Sequence, residues 1–133
     1  EYGEPSIEFI DYSFQTRDHV ETEDFSFRII DKSSLDELIY KNHGYKELLD
    51  QINRDGGFSD ESIYIMKSTT VYSGTQRLWV EAVYVKDGKL SISQGYNIFN
   101  MGTADIARCV VCVKIPKAEL ENVDLSEYEP TDR

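Results

Sequence analysis

The clearest local pattern in the chain is a pair of alternating apolar runs on either side of Lys86-Asp87-Gly88-Lys89. Asp-Gly tolerates the positive φ that both central positions of a two-residue type I′ turn require, so the pair predicts a β-hairpin. The turn also predicts a register: Val85 opposite Leu90, Val83 opposite Ile92, Glu81 opposite Gln94 and Trp79 opposite Tyr96. Directly opposed residues share a face. Val83, Val85, Leu90, Ile92, Trp79 and Tyr96 therefore form one apolar surface, expected to meet the core. Tyr84, Ala82, Val80, Ser91 and Ser93 form the smaller, more polar one.

A further strand is predicted over residues 106–115. Ala107, Cys109, Val111, Val113 and Ile115 fall on one side, and Arg108, Val110, Cys112 and Lys114 on the other. That division suits a sheet with one buried and one half-wet face. Pro116 has no N–H to donate and ends the ladder. Residues 117–121 read as a short helical turn.

Earlier in the chain, residues 6–14 predict a strand with Ile10, Tyr12 and Phe14 on one face and Ile7 and Phe9 offset on the other. Phe25, Phe27 and Ile29 alternate with Ser26 and Arg28 over residues 24–30. Residues 62–68, with Ile63, Tyr64, Ile65 and Met66, predict another strand. Between these two, the period changes. Leu35, Leu38 and Ile39 are followed by Tyr45, Leu48, Leu49 and Ile52, interrupted by Asn42-His43-Gly44. This predicts two short helices or one broken helix within residues 34–53. Ser34-Leu35-Asp36-Glu37 fits a capping box with Ser34 as the N-cap, and Gly44 fits a left-handed C-cap.

Together the elements predict a single α+β domain over residues 1–121. Its antiparallel sheet has about five or six strands, with one or two short helices packed on one face. Residues 122–133 are acidic and polar and read as a poorly tied tail. A chain of 133 residues is long enough to bury roughly two thirds of its unfolded surface without staples.

Charge narrows the function classes. Twenty-five acidic residues against 14 basic give a net charge of −11. Phosphate neutralisation needs a basic face, so nucleic acid is not an expected partner. No apolar run approaches the length of a membrane span. The chain opens Glu1-Tyr2-Gly3-Glu4-Pro5, a polar start without an initiator Met. That start suits a processed mature protein or a piece of a longer one.

Candidate chemistry is sparse. Cys109 and Cys112 spell Cys-Val-Val-Cys inside a predicted strand. Three residues of extended chain hold their Cα atoms about 10 Å apart, beyond the roughly 7 Å that a disulfide spans. They are expected to be free, packed thiols pointing to opposite faces. Free thiols in an oxidising compartment need shielding or an anaerobic setting. Zinc would need two further ligands, and only His19 and His43 remain. Asn53, Asp55, Gly56 and Ser59 resemble part of a calcium loop. Gln51 and Ser62 stand where its strong carboxylates belong, so a structural turn is expected. No metal, cofactor or catalytic residue is assigned. Acidic residues this numerous always offer carboxylate pairs, so a hydrolase using them in a cleft is the alternative function.

The residues left for binding are aromatic and polar. Tyr72, Tyr84 and Tyr96, with Gln76 and Arg77 in a loop, form the candidate surface for another envelope protein or a glycan. Gln76 and Arg77 would be the natural contact of a protease modulator.

The order strand, Ser-Leu-x-Glu-Leu helix, apolar strand, Ser-Gly turn, Trp-containing hairpin and final strand ending Ile-Pro-Lys supports one resemblance. Over roughly residues 27–120 the chain resembles uncharacterised exported domains of Gram-positive anaerobes. To a lesser degree it is similar to the C-terminal domain of PrcB-type protease-complex subunits. Leu35, Glu37, Leu38, Phe58, Ser73, Gly74, Val80, Val83, Asp87, Gly88, Leu90, Ile92, Asp105, Ile115 and Lys117 carry it. The PrcB-type pattern has Gly-Gly before the hairpin where this chain has Ser73-Gly74-Thr75. The resemblance implies an extracellular or cell-envelope location and a non-enzymatic domain that contacts another protein. It brings no catalytic residues.

Overall fold

The computed structural model describes residues 6–17, 23–72, 75–97 and 106–129. In chain order its elements are β1 (Ile10–Asp11), β2 (Phe14–Thr16), β3 (Phe25–Ile30), α1 (Lys32–Lys41), α2 (Lys46–Arg54), β4 (Ser62–Val71), β5 (Leu78–Lys86), β6 (Lys89–Tyr96) and β7 (Ala107–Pro116). Short 3-10 turns occupy His43–Tyr45, Lys117–Leu120 and Ser126–Tyr128. The α+β class with an antiparallel five-stranded sheet is what the pattern predicts.

β7 is the centre of that sheet. It pairs with β4 over its whole length, from Ser62 opposite Pro116 to Val71 opposite Ala107. β1 and β2 line its other edge, and β3 flanks β4. β1 and β2 are the ends of one strand, because Asp11 opposite Val113 and Phe14 opposite Val110 keep the same register. Between them the Tyr12 N–H donates to Cys112 O at 2.8 Å. The pairing thus starts later than the predicted 6–14. Ile7 turns instead to the edge of β5, where its N–H donates to Val83 O.

The hairpin is not part of this sheet. β5 and β6 form their own two-stranded sheet, so the molecule has three layers. On the helix side, Leu35, Tyr45, Leu48 and Ile52 pack against Tyr64, Met66, Val110 and Cys112. On the hairpin side, Val80, Val83 and Leu90 pack against Ile65, Val111, Val113 and Ile115. The expected half-wet face of β7 is therefore corrected: with a layer on each side, every residue from Ala107 to Val113 is buried. Beyond Val113 on that face, Lys114 and Pro116 reach the surface layer, half-buried.

The predicted hairpin register holds near the turn and fails beyond it. Asp87 and Gly88 take φ of 55° and 78°, as a type I′ turn demands. Val85 faces Leu90 and Val83 faces Ile92. A bulge at Glu81 then inserts one residue, so Trp79 faces Gly95 and Leu78 faces Tyr96. One extra residue moves the following side chains to the other face. Val80 and Leu78 join the core, and Trp79 leaves it to lie half-buried over Gly95. An added Cβ at Gly95 would fall on Trp79 Nε1 and sit 2.8 Å from Glu81 Cγ.

Both helix caps differ from expectation in detail. α1 starts one turn earlier, with Asp31 as its N-cap. Asp31 Oδ1 accepts from the Ser34 N–H at 2.8 Å, and Ser34 Oγ accepts from the Asp31 N–H at 2.9 Å. This is the same reciprocal arrangement, shifted by three residues, and such a cap contributes about 1 kcal/mol. Asn42, not Gly44, ends α1, in an extended conformation. Gly44 is required by space rather than by φ: a Cβ there would lie 2.9 Å from Thr16 Oγ1.

The predicted loose tail is docked as far as residue 128. Val123, Leu125 and Tyr128 pack on the hairpin-side core. The Asp124 N–H donates to Gly88 O at 2.7 Å, and the Tyr128 hydroxyl donates to Leu90 O at 2.8 Å. Alternating apolar residues in an acidic segment thus cap the tip of β6.

Gly95→Ala should report the bulge directly. Overpacking of this kind costs about 1–3 kcal/mol. Trp79 is the only tryptophan, so its emission should shift along with a lower urea midpoint. Unchanged emission and midpoint would show that the ring does not lie on Gly95.

Candidate functional site

Four of the five predicted binding residues gather at one end of the molecule. Tyr72 directly follows the end of β4, where Val71 faces Ala107, and so lies at the level of Ile106. Tyr96 faces Leu78, whose side chain packs with Val71, Ala107 and Cys109 beneath. Tyr72, Tyr96 and Ile106 are 74%, 64% and 48% exposed, so three large apolar side chains meet water here. Ile106 lies just beyond the end of the β4–β7 ladder, and that position exposes it.

Gln76 and Arg77 build the base of this end more than they extend from it. Gln76 O accepts from Gln15 Nε2 at 2.7 Å and from Cys109 Sγ at 3.5 Å. The Arg77 N–H donates to Asn97 Oδ1 at 2.7 Å, and Asn97 Nδ2 donates to Thr75 O at 2.8 Å. These bonds pin the start of β5 to the sheet. Ser73 and Gly74 lie outside the described residues.

Tyr84 does not join the group. It faces Ser91 on the outer side of the hairpin, five positions along β6 from Tyr96, about 17 Å away. It is half-buried there.

The polar feature that the sequence pattern concealed is Arg108. It sits fully buried on the helix side of β7. Nη1 donates to Asp24 Oδ1 and to Ser68 Oγ, both at 3.0 Å, and Nη2 donates to Thr70 Oγ1 at 2.9 Å. Ser68 Oγ also bonds Tyr45 Oη at 2.8 Å. Asp24 accepts from the Thr70 N–H and hydroxyl as well. Partial burial pushes the Asp24 carboxyl up, but the Thr70 bonds and the Arg108 guanidinium outweigh it and hold the carboxyl below its ordinary value. A Cys- and Val-rich strand gives no outward sign that its lone Arg is internal.

Asp24 and Tyr45 also line a cleft of about 370 Å³ between β3 and α1, together with Arg28, Leu38 and Lys41. A second cavity, of about 450 Å³, lies between the start of α1 and Lys117, with Asp31 already committed to capping.

The remaining candidate chemistry resolves into structure. Cys109 and Cys112 are free and buried, on opposite faces of β7. Burial raises both thiols, which leaves them protonated and inert. In the calcium-like loop, Asn53 lies inside the last turns of α2, and Asp55 accepts from the Tyr12 hydroxyl at 2.7 Å. Gly56 and Gly57 take φ of 100° and 91°, which only a turn requires. Among the described residues no group of three or more His, Cys, Asp or Glu is placed to hold a metal ion. His43 lies exposed in a 3-10 turn, and His19 lies outside the described residues. Among the described carboxyls, those that depart from their ordinary value (Asp24, Asp31 and Asp124) are all lowered.

No protein-family model matches the chain, and neither curated proteins nor solved structures give a significant match.

The Arg108 network predicts an asymmetry. Losing Asp24 strands a buried cation, whereas losing Arg108 strands a carboxylate that water can reach, since Asp24 is 51% exposed. Breaking a fully buried pair costs about 3–5 kcal/mol; with Asp24 half in water, Asp24→Ala should cost about 2 kcal/mol. Arg108→Met should cost about 1 kcal/mol less. Urea melts of both variants test this, and equal costs would refute it. Because the folded carboxyl lies below its unfolded value of about 3.9, its contribution is present above that pH. It is lost as pH falls through the folded value, and Asp24→Ala should be insensitive to that loss.

Proposed function

We propose that this protein is a non-enzymatic interaction module of the cell envelope or the extracellular space. It engages another protein through the end that carries Tyr72, Tyr96 and Ile106. The observation behind this reading is the exposure of those three side chains on an otherwise acidic molecule whose two cores are closed. Aromatic side chains at a polar rim are typical anchors of protein contacts. Gln76 and Arg77 fix the loop that presents them.

One further point favours this reading over a hydrolase. Acid catalysis by a carboxyl pair needs one pKa raised, and the perturbed described carboxyls all move down. The objection that an exported protein should not carry free thiols is met by shielding, since Cys109 is 1% and Cys112 0% exposed. The resemblance to exported domains points the same way, and its link to protease complexes makes a protease-associated subunit a reasonable class of partner.

The test uses the intact chain as bait in envelope extract. Tyr72→Ser with Tyr96→Ser should abolish capture of a partner that the wild type enriches near stoichiometry. Tyr40→Ser should keep it, because Tyr40 is 89% exposed on α1, in the helix layer, and belongs to neither the end of β4 nor the hairpin. Loss of two interface tyrosines should weaken binding by about 2–4 kcal/mol, roughly a 30- to 1,000-fold change. Equal capture by all three proteins, or retention only on glycan supports, would overturn the reading.

A further inference from the structure

We propose that the cleft between β3 and α1 is a binding site for a small carboxylate ligand with an apolar body, the chemistry of an amino acid or a peptide C-terminus.

The cations carry the argument. Lys32, Lys46, Arg54, Lys89 and Arg108 each have a carboxylate partner within 4 Å. Arg28 and Lys41 both line the cleft, and neither forms an ion pair among the described residues. Lys67, Lys86, Lys114 and Lys117 also form no ion pair among the described residues, but Arg28 and Lys41 line one cavity together. On a chain of net charge −11, two cations facing one cavity mark a place for an outside anion. Arg28 is also held in position: its guanidinium carbon lies 3.9 Å from the centroid of the Phe25 ring. A stacked guanidinium keeps its planar fork oriented for a carboxylate at little further entropy cost.

The rest of the lining fits an apolar body. Phe25 and Leu38 supply apolar walls, and Tyr45, 2% exposed, supplies the floor. A cleft of about 370 Å³ lies in the range of small-molecule sites. Glu23 and Asp24 also line it. Asp24 is already matched by Arg108 at 3.0 Å. Among the described residues, two cations against the one remaining carboxylate leave the cleft with a single positive charge in excess. Glu23 can then receive the ammonium of a free amino acid, whereas a peptide C-terminus needs only the cations.

Amide NMR on the labelled full chain separates these cases with three probes: N-acetyl-phenylalanine, phenylalanine and N-acetyl-phenylalaninamide. Both carboxylates, or one of them, should give saturable shifts confined to residues 23–28 and 38–45, and the amide should bind at least about tenfold more weakly. Preference for the acetylated probe indicates a peptide C-terminus, and preference for the free amino acid indicates a zwitterion held with Glu23. Arg28→Gln should weaken the preferred probe by about tenfold or more. Lys41→Gln, at the exposed end of α1, should weaken it without disturbing the fold, and Lys32→Gln should leave it unchanged. No saturable shift up to about 10 mM, or equal binding of the amide, overturns the proposal.

Discussion

Everything in this fold depends on one strand being dry on both sides. β7 carries Val110 and Cys112 into the helix-side core and Val111, Val113 and Ile115 into the hairpin-side core. Burying each branched side chain contributes about 1.5–3 kcal/mol. The exposed helix ion pairs, Lys32 with Asp36 and Lys46 with Asp50, contribute about 0.3–0.5 kcal/mol each. The layers are therefore held by β7, not by surface charge. Both the helices and the hairpin pack on the two faces that β7 shares with its neighbour β4. The hairpin in particular, as a two-stranded sheet, would be marginal alone.

That constraint explains the Arg108 network. A polar group placed at the start of a strand with no wet face must be satisfied inside. Ser68 and Thr70 on β4 and Asp24 before β3 supply the partners, and Tyr45 of the helix layer bonds Ser68 in turn. The network therefore ties β7 to β4, to the start of β3 and to the helix layer.

The sequence showed most of what pattern can carry. The Asp-Gly turn, the register beside it, the strand alternation and the helical stripes are local properties of side chains, and each is present in the structure. What it did not show has no side-chain signature. The bulge at Glu81 adds one residue to a run in which both readings leave apolar residues on each face. Burial of the second face of β7 was visible in Val110 and Cys112, but Arg108 and Lys114 argued for water. Asp31 and Ser34 are equally good caps in isolation; with Asp31 as the N-cap, Ile30 and Leu35 sit at the two positions of a hydrophobic staple and meet in the same core. At the candidate site, Tyr72 lies beyond the predicted strand of residues 62–68 and is exposed as a loop aromatic, whereas Tyr96, which the predicted register sets on the core face, is 64% exposed instead. Tyr84 does not belong with them, and the predicted register already implies as much, because it sets Tyr84 opposite Ser91, five strand positions from Tyr96.

The two proposed contact regions are not independent in space. Thr70 faces Arg108 one step inward from Val71 and Ala107, beyond which Tyr72 and Ile106 are exposed. Asp24, bonded to both Thr70 and Arg108, forms part of the cleft wall. The same bonded cluster therefore backs the aromatic end and the cleft. A rigid backing lowers the ordering cost of binding at either. It also means that changing Asp24 disturbs both regions at once. Variants confined to Tyr72 and Tyr96 on one side, or to Arg28 and Lys41 on the other, leave the cluster intact and separate the two contributions.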